Sequence, residues 1–371
     1  MKRIAVAAAL ALPVLLAVMP GQAQTPPPAE AAKPADAGTP AEPDAGKPAE
    51  AANAGEETKP APADAQPAEN QPGDAPPPAD AATPAEAAAP AAPSGPPPDL
   101  AYGAFQRGYY LKALEEATKR VVSDKDPAAM TLIAQLYANG LGVPPDPVKA
   151  AQWYSEAAER GDRNAMFAYG MAKLLGKTVP KDEPGGMLLL NRAAELGVPE
   201  AAYNLGIIAL RTTNGPPDYA TAYKRFSQAA LANNGDALYS LGVLTKEGKG
   251  VTADKKKAAD YFLASANANN IDGMVEYGIA LFNGEGVPRD QEMAADWFER
   301  AALRGSPIAR NRLARMYAAG MGLAPNPVLA CMWHLLAKAA GLEDKQLDEY
   351  VARQTPEVRA AAIQGARFYG M

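Results

Sequence analysis

The sequence contains a single cysteine, Cys331, and a single histidine, His334, among 371 residues. One thiol cannot form an intrachain disulfide, so disulfides do not stabilise this chain. The two side chains are three positions apart, and two ligands make a poor metal site. Without a second histidine, no arrangement of nucleophile and imidazole base is visible. We interpret both residues as packing residues and expect no catalytic residue, no metal and no cofactor. A lysine- or carboxylate-based enzyme stays open, although no motif supports one.

Large apolar residues are missing from residues 24–99, which contain no Leu, Ile, Val, Met or aromatic side chain. Without such side chains nothing offsets the entropy lost on ordering, so we predict a disordered Pro/Ala-rich, acidic tether with extended, polyproline-like conformations. Binding of a proline-recognising domain and passage through the cell-wall mesh are alternatives to a plain spacer.

A long membrane-spanning run is also missing. The apolar run Ile4–Val18 has 15 residues and contains Pro13, whereas a membrane span needs about 20. Because Lys2 and Arg3 precede this run and small residues follow it, residues 1–23 are predicted to be a cleavable signal peptide. No cysteine lies nearby for a lipoprotein anchor. We therefore expect a periplasmic or secreted protein without stable membrane insertion.

A large excess of positive charge is missing as well. The formal net charge is −6, and residues 24–99 carry 13 acidic residues and three lysines, so the remainder is close to neutral. A nucleic-acid-binding domain would show a strong, clustered excess of Lys and Arg. We therefore expect no nucleic acid among the partners.

From about Ala128 to Gly341 the sequence is organised by a period of 36 residues. Gly284 recurs as Gly140, Gly176, Gly248 and Gly320. Asp290 recurs as Asp146, Asp182, Asp218, Asp254 and Asn326. This second column is typical of helix N-caps. A third column, in which glycine alternates with asparagine, indicates left-handed helix ends at Gly161, Gly197, Asn233, Asn269, Gly305 and Gly341. Such a period predicts an all-α solenoid of helix pairs.

The repeated pattern, A-x3-L-G/A-x2-Y-x2-G-x-G-V followed by D-x3-A-x2-W/Y-F/Y-x2-A-A-x2-G, resembles the Sel1-like repeat, a relative of the tetratricopeptide repeat. The resemblance covers six copies in residues 128–341, with capping helices expected in 100–127 and 342–371. Copy 3 departs from it, because Thr212 and Asn214 replace both loop glycines. The resemblance implies a right-handed superhelical solenoid that acts as an adaptor. Exported bacterial relatives include regulators of envelope sensing and exopolysaccharide production.

The resemblance also implies that the first helix of each pair lines a concave groove. Two positions that recur every 36 residues on these first helices, together with three neighbouring residues, would then form a nearly continuous apolar stripe. Such a stripe suits an amphipathic helix or an extended peptide. The candidate residues are Phe167, Met171, Leu174, Tyr203, Ile207, Leu210, Tyr239, Val243, Val275, Ile279 and Phe282. The alternative is that superhelical packing, or the C-terminal segment, already buries the stripe.

The sequence therefore favours an exported, monomeric scaffold that binds a protein or peptide partner of unknown identity. The alternative function is an envelope enzyme, or an enzyme activator, that acts on peptidoglycan or exopolysaccharide. The missing catalytic constellation favours the scaffold.

Overall fold

A computed structural model describes residues 99–211 and 215–369. All regular elements in these two ranges are α-helices, as the 36-residue period predicts. The predicted signal peptide, the predicted tether apart from Asp99, and the exceptional loop residues Thr212 and Asn214 lie outside the described residues.

Six helix pairs follow one another along the chain, each with a first and a second helix. The first helices are α3 (Pro127–Asn139), α5 (Arg163–Leu175), α7 (Pro199–Leu210), α9 (Gly235–Glu247), α11 (Ile271–Asn283) and α13 (Pro307–Ala319). The second helices are α4 (Pro147–Glu159), α6 (Glu183–Glu195), α8 (Tyr219–Ala230), α10 (Lys255–Asn267), α12 (Gln291–Leu303) and α14 (Pro327–Ala339). Each first helix packs against the second helix of its own copy, and each second helix from α4 to α12 packs against the first helix of the next copy, so the core is continuous along the array.

Two shorter helix pairs flank the six copies. These are α1 (Leu100–Gln106) and α2 (Tyr110–Asp124) before them, and α15 (Lys345–Ala352) and α16 (Pro356–Phe368) after them. Helix α15 begins at Lys345 because Asp344 is its N-cap. The N-cap of α16, Thr355, accepts a hydrogen bond from the amide of Val358.

The start and the end of the second helices follow the predicted columns. Asp290 accepts a hydrogen bond from the amide of Met293 at 2.9 Å, and its column equivalents cap the other second helices in the same way. All six residues of the predicted left-handed column have a positive φ, for example +93° at Gly305. Both predictions are confirmed. The sequence could predict these caps because they depend on local backbone geometry.

Glycines on the first helices allow phenylalanines of the second helices to pack closely. Phe262 is 1 % exposed, and a Cβ added to Gly242 would lie 2.5 Å from its Cε1. The same relation holds for Gly206 with Phe226 and for Gly278 with Phe298. These glycines are therefore required by packing.

Substitutions at the two ends of α12 should show the cost of losing these caps. We expect Asp290→Ala to reduce the free energy of unfolding by about 1 kcal/mol through the lost N-cap. Gly305→Val should cost more, because a β-branched residue resists the left-handed conformation even though no atom would obstruct its Cβ. Urea unfolding followed by circular dichroism measures both effects, and unchanged midpoints would contradict the cap assignments.

Candidate protein-binding face

The candidate residues lie on first helices, which form one side of the array. Helix α9 contacts α11 directly, and α13 contacts α15, the first helix of the C-terminal pair, so first helices adjoin one another in this layer. We call the exposed surface of this layer the inner face. Helix α5 carries Phe167, Met171 and Leu174, α7 carries Tyr203, Ile207 and Leu210, α9 carries Tyr239 and Val243, and α11 carries Val275, Ile279 and Phe282.

Burial divides this candidate set. Phe167, Met171 and Val275 are only 8 %, 7 % and 4 % exposed, so they pack inside the array. The other eight are half-buried and present part of their surface to solvent. The nearly continuous stripe expected from the sequence is therefore interrupted in copies 2 and 5, where these three side chains follow the alternative in which packing buries the stripe.

Two tyrosines occupy the centre of the inner face. The ring of Tyr203 lies 5.5 Å from that of Phe226, and the ring of Tyr239 lies 6.1 Å from that of Phe262. Burial raises the pKa of each tyrosine to about 12. Nearby carboxylates, chiefly Asp236 for the first and Asp272 for the second, add to the shift. Both hydroxyls stay protonated near neutral pH and can donate hydrogen bonds to a partner.

An acidic group lies beside these tyrosines. Asn270 donates to Asp236 at 2.6 Å, and Lys246 pairs with Glu276 at 2.9 Å. The pKa of Asp272 is raised, first by burial and then by repulsion from Asp236 and Glu276. We call Asp236, Asp272 and Glu276 the acidic group of copies 4 and 5. It carries more negative than positive charge, a feature that hydrophobic patterning alone did not predict.

The first-helix position occupied by Tyr203 and Tyr239 is polar in the first and last copies, where it has a structural role. Thr131 donates to Asp162 at 2.9 Å, and Asn311 donates to Asp344 at 2.8 Å. Asp162 and Asp344 are the N-caps of α5 and α15. Each polar side chain therefore ties a first helix to the start of a following helix.

A cavity of about 240 Å³ lies next to the last two candidate residues, Ile279 and Phe282. Its other walls include Arg312, Arg315, Met316 and Met321. We call it the copy-6 cavity. The apolar stripe predicted from the sequence excluded Arg315 as the polar end of its column. It also left out Arg312 and Met316 of α13 and Met321 of the following loop.

Arg315 holds α15 against α13 through Asp344. Its Nε and Nη2 lie 2.9 and 2.5 Å from Oδ2 of Asp344. Burial disfavours the charged form of Asp344, but hydrogen bonds from Asn311 and the amide of Leu347, together with Arg315, lower its pKa below the usual 3.8. The carboxylate is therefore part of the joint between copy 6 and the C-terminal helices.

The lowered pKa of Asp344 predicts a pH-dependent contribution to stability. Because the folded-state pKa lies below the unfolded-state value, the contribution is complete above about pH 4 and is lost as the pH falls through the folded-state pKa. Asp344→Asn should therefore be less stable than the wild type at neutral pH, and the difference should shrink in acid. Urea unfolding of both proteins across this range measures it. A difference independent of pH would show that the ionised carboxylate contributes nothing.

Cys331 and His334 are buried side chains of α14, as the sequence predicted. Burial raises the pKa of the Cys331 thiol. Nε2 of His334 lies 2.9 Å from Oδ1 of Asp348 on α15, and Lys338 donates to the same oxygen at 2.7 Å. Within residues 99–211 and 215–369, no group of three or more His, Cys, Asp and Glu side chains could hold a metal ion. No helix in the described part of the chain is long and apolar enough to cross a membrane.

Comparison with solved structures finds similar proteins, among them the following two, of which the first shows the same architecture. A Sel1 repeat protein from Oxalobacter formigenes is 29 % identical, with a TM-score of 0.59, and the match covers 65 % of this chain and 98 % of that one. A protective antigen of uropathogenic Escherichia coli, c5321, is 22 % identical over 70 % of this chain and 64 % of its own, with a TM-score of 0.46. Comparison with curated proteins finds no match.

The Sel1 repeat family model matches six consecutive segments, at residues 127–162, 163–198, 199–234, 235–270, 271–306 and 307–342. These segments coincide with the six helix pairs and cover more than half of the chain. Stacked repeats of this kind form extended surfaces that generally serve protein–protein interaction. The chain is a member of the Sel1 repeat family.

Proposed function

We propose that this protein is an exported, monomeric scaffold that binds a protein partner on its inner face. The observation that carries the proposal is the centre of that face, where Tyr203 and Tyr239 are half-buried beside the acidic group of copies 4 and 5. Aromatic side chains with a polar tip and a fixed ring are favoured as anchors at protein interfaces. The other six half-buried candidates supply apolar area around them.

The proposed place of action is the periplasm or the extracellular space. This part rests on the signal-peptide pattern of residues 1–23, with residues 24–99 as a tether that separates the array from its N-terminal end. Regulation of envelope signalling or of exopolysaccharide production is the role that the family resemblance suggests. We propose a binding function without catalysis, because the sequence shows no catalytic motif.

Site-specific photo-crosslinking tests the binding face. A photoreactive phenylalanine analogue would replace Tyr239 on the inner face or, as a control, Leu188, which is 72 % exposed on a second helix. In envelope extracts we expect a discrete protein adduct from position 239 and none from position 188.

Two outcomes would contradict this proposal. Equal crosslinking from both positions would show that the inner face is not the binding surface. Adducts that contain only glycan, or glycan cleavage by the purified protein, would support the enzyme or activator alternative instead.

A further inference from the structure

The copy-6 cavity combines an apolar wall with cationic side chains. Ile279, Phe282 and Met321 are half-buried, and Met316 is only 2 % exposed. Its volume of about 240 Å³ is below the roughly 300–1,000 Å³ typical of small-molecule sites. This size favours the insertion of a single bulky side chain.

Arg315 and Arg312, the two arginines of the cavity, differ in whether a carboxylate pairs with them. Arg315 is matched by Asp344 and also donates to Gln346 at 3.0 Å. Arg312 is exposed, and among residues 99–211 and 215–369 no carboxylate pairs with it and no hydrogen bond engages its side chain. The cavity therefore has an unmatched positive charge at Arg312, directly beside its apolar wall.

Charge also varies along the inner face toward this cavity. Glu276 stands one repeat before Arg312 in the same column, and together with Asp236 and Asp272 it outnumbers Lys246 on the inner face of copies 4 and 5. An acidic group on a bound peptide would be repelled there and attracted at copy 6. The inner face can therefore select the direction in which a peptide lies.

We propose, as a deepening of the function proposed above, that the copy-6 cavity binds a bulky apolar side chain of a partner peptide whose neighbouring residue is acidic. The apolar side chain packs on Phe282 and Met316, and the carboxylate pairs with Arg312. The acidic segment 24–99 of this chain matches the charge, but it contains no Leu, Ile, Val, Met or aromatic side chain for the cavity. A partner peptide fits both requirements.

Selection from a random peptide display library tests this proposal, because it requires no identified partner. The library is panned on the chain without its predicted signal peptide, on Arg312→Glu and on the control Arg289→Glu. Arg289 is likewise exposed but does not line the cavity. Circular dichroism confirms that all three proteins fold equally.

We expect the wild type and Arg289→Glu to enrich peptides in which a bulky apolar residue adjoins Asp or Glu. The selected peptides should bind Arg312→Glu about tenfold more weakly, because a charge-assisted hydrogen bond is lost. Replacing the apolar residue of the peptide by alanine, or its acidic residue by the amide, should weaken binding to the wild type to a similar degree.

Several results would overturn the proposal. These are no enrichment, enriched peptides without an acidic residue, or binding that Arg312→Glu leaves unchanged. Selected peptides whose binding requires Tyr239 but not Arg312 would contradict the proposed role of the copy-6 cavity. They would leave the proposed function of the inner face intact. Tighter peptide binding after deletion of residues 26–98 would identify the tether as the occupant. A dimer that the peptides dissociate would identify a second copy.

Discussion

Replacing Phe262 by alanine should reduce the free energy of unfolding by about 3 to 5 kcal/mol, the usual cost of removing a fully buried aromatic ring. The ring is 1 % exposed and fills the space between α9 and α10. Gly242 faces the ring and has no side chain, so no rotamer change at that position can fill the cavity that the substitution leaves. Urea unfolding measures the loss. Leu231→Ala is the control, because Leu231 is 90 % exposed and its truncation should change stability by no more than about 0.5 kcal/mol.

A double-mutant cycle makes this prediction specific to the Gly242–Phe262 contact. Gly242→Ala alone should destabilise, because the new methyl group would lie 2.5 Å from the ring. In the background of Phe262→Leu the same methyl group has room, so the two effects should not add. Additive losses would show that the ring and the glycine do not pack against each other as the structure has them.

The accuracy of the sequence-based interpretation depends on whether a feature is local. The N-cap at Asp290 and the left-handed residue at Gly305 were predictable, because each is determined by a few neighbouring backbone groups. The first-helix caps Asp162, Asn234 and Asn270 were missed, although their signal was present. Each directly follows a residue of the left-handed column.

The candidate binding face was less predictable, because burial there depends on neighbouring copies. Phe167 and Tyr239 occupy the same column, but the first is buried and the second is half-buried. A periodic pattern identifies the face of a helix, whereas the side chains of adjacent helices decide how much of each residue they cover. The copy-6 cavity was hidden for the same reason, since its walls come from α11, α12, α13 and the loop after α13.

Because Phe167 is buried and Tyr239 is half-buried, serine substitutions at the two positions should differ in their effect on stability. Phe167→Ser should reduce the free energy of unfolding by about 3 to 5 kcal/mol, because it removes a buried aromatic side chain and inserts a hydroxyl. Tyr239→Ser should cost clearly less, because part of its ring already contacts solvent. The same Tyr239 variant should nevertheless weaken binding of the partner more than any change on a second helix does, as expected for a central aromatic anchor.

Urea unfolding and partner binding, measured on both variants, separate packing from recognition. Tyr239→Phe is the matched control: it keeps the ring that packs on Phe262 and removes only the hydroxyl. If the hydroxyl donates to the partner, Tyr239→Phe should retain stability and lose about two- to tenfold in affinity, the usual range for one neutral hydrogen bond. A loss of several kcal/mol in both serine variants would mean that the centre of the inner face is core, and the binding face would then have to lie elsewhere on the array.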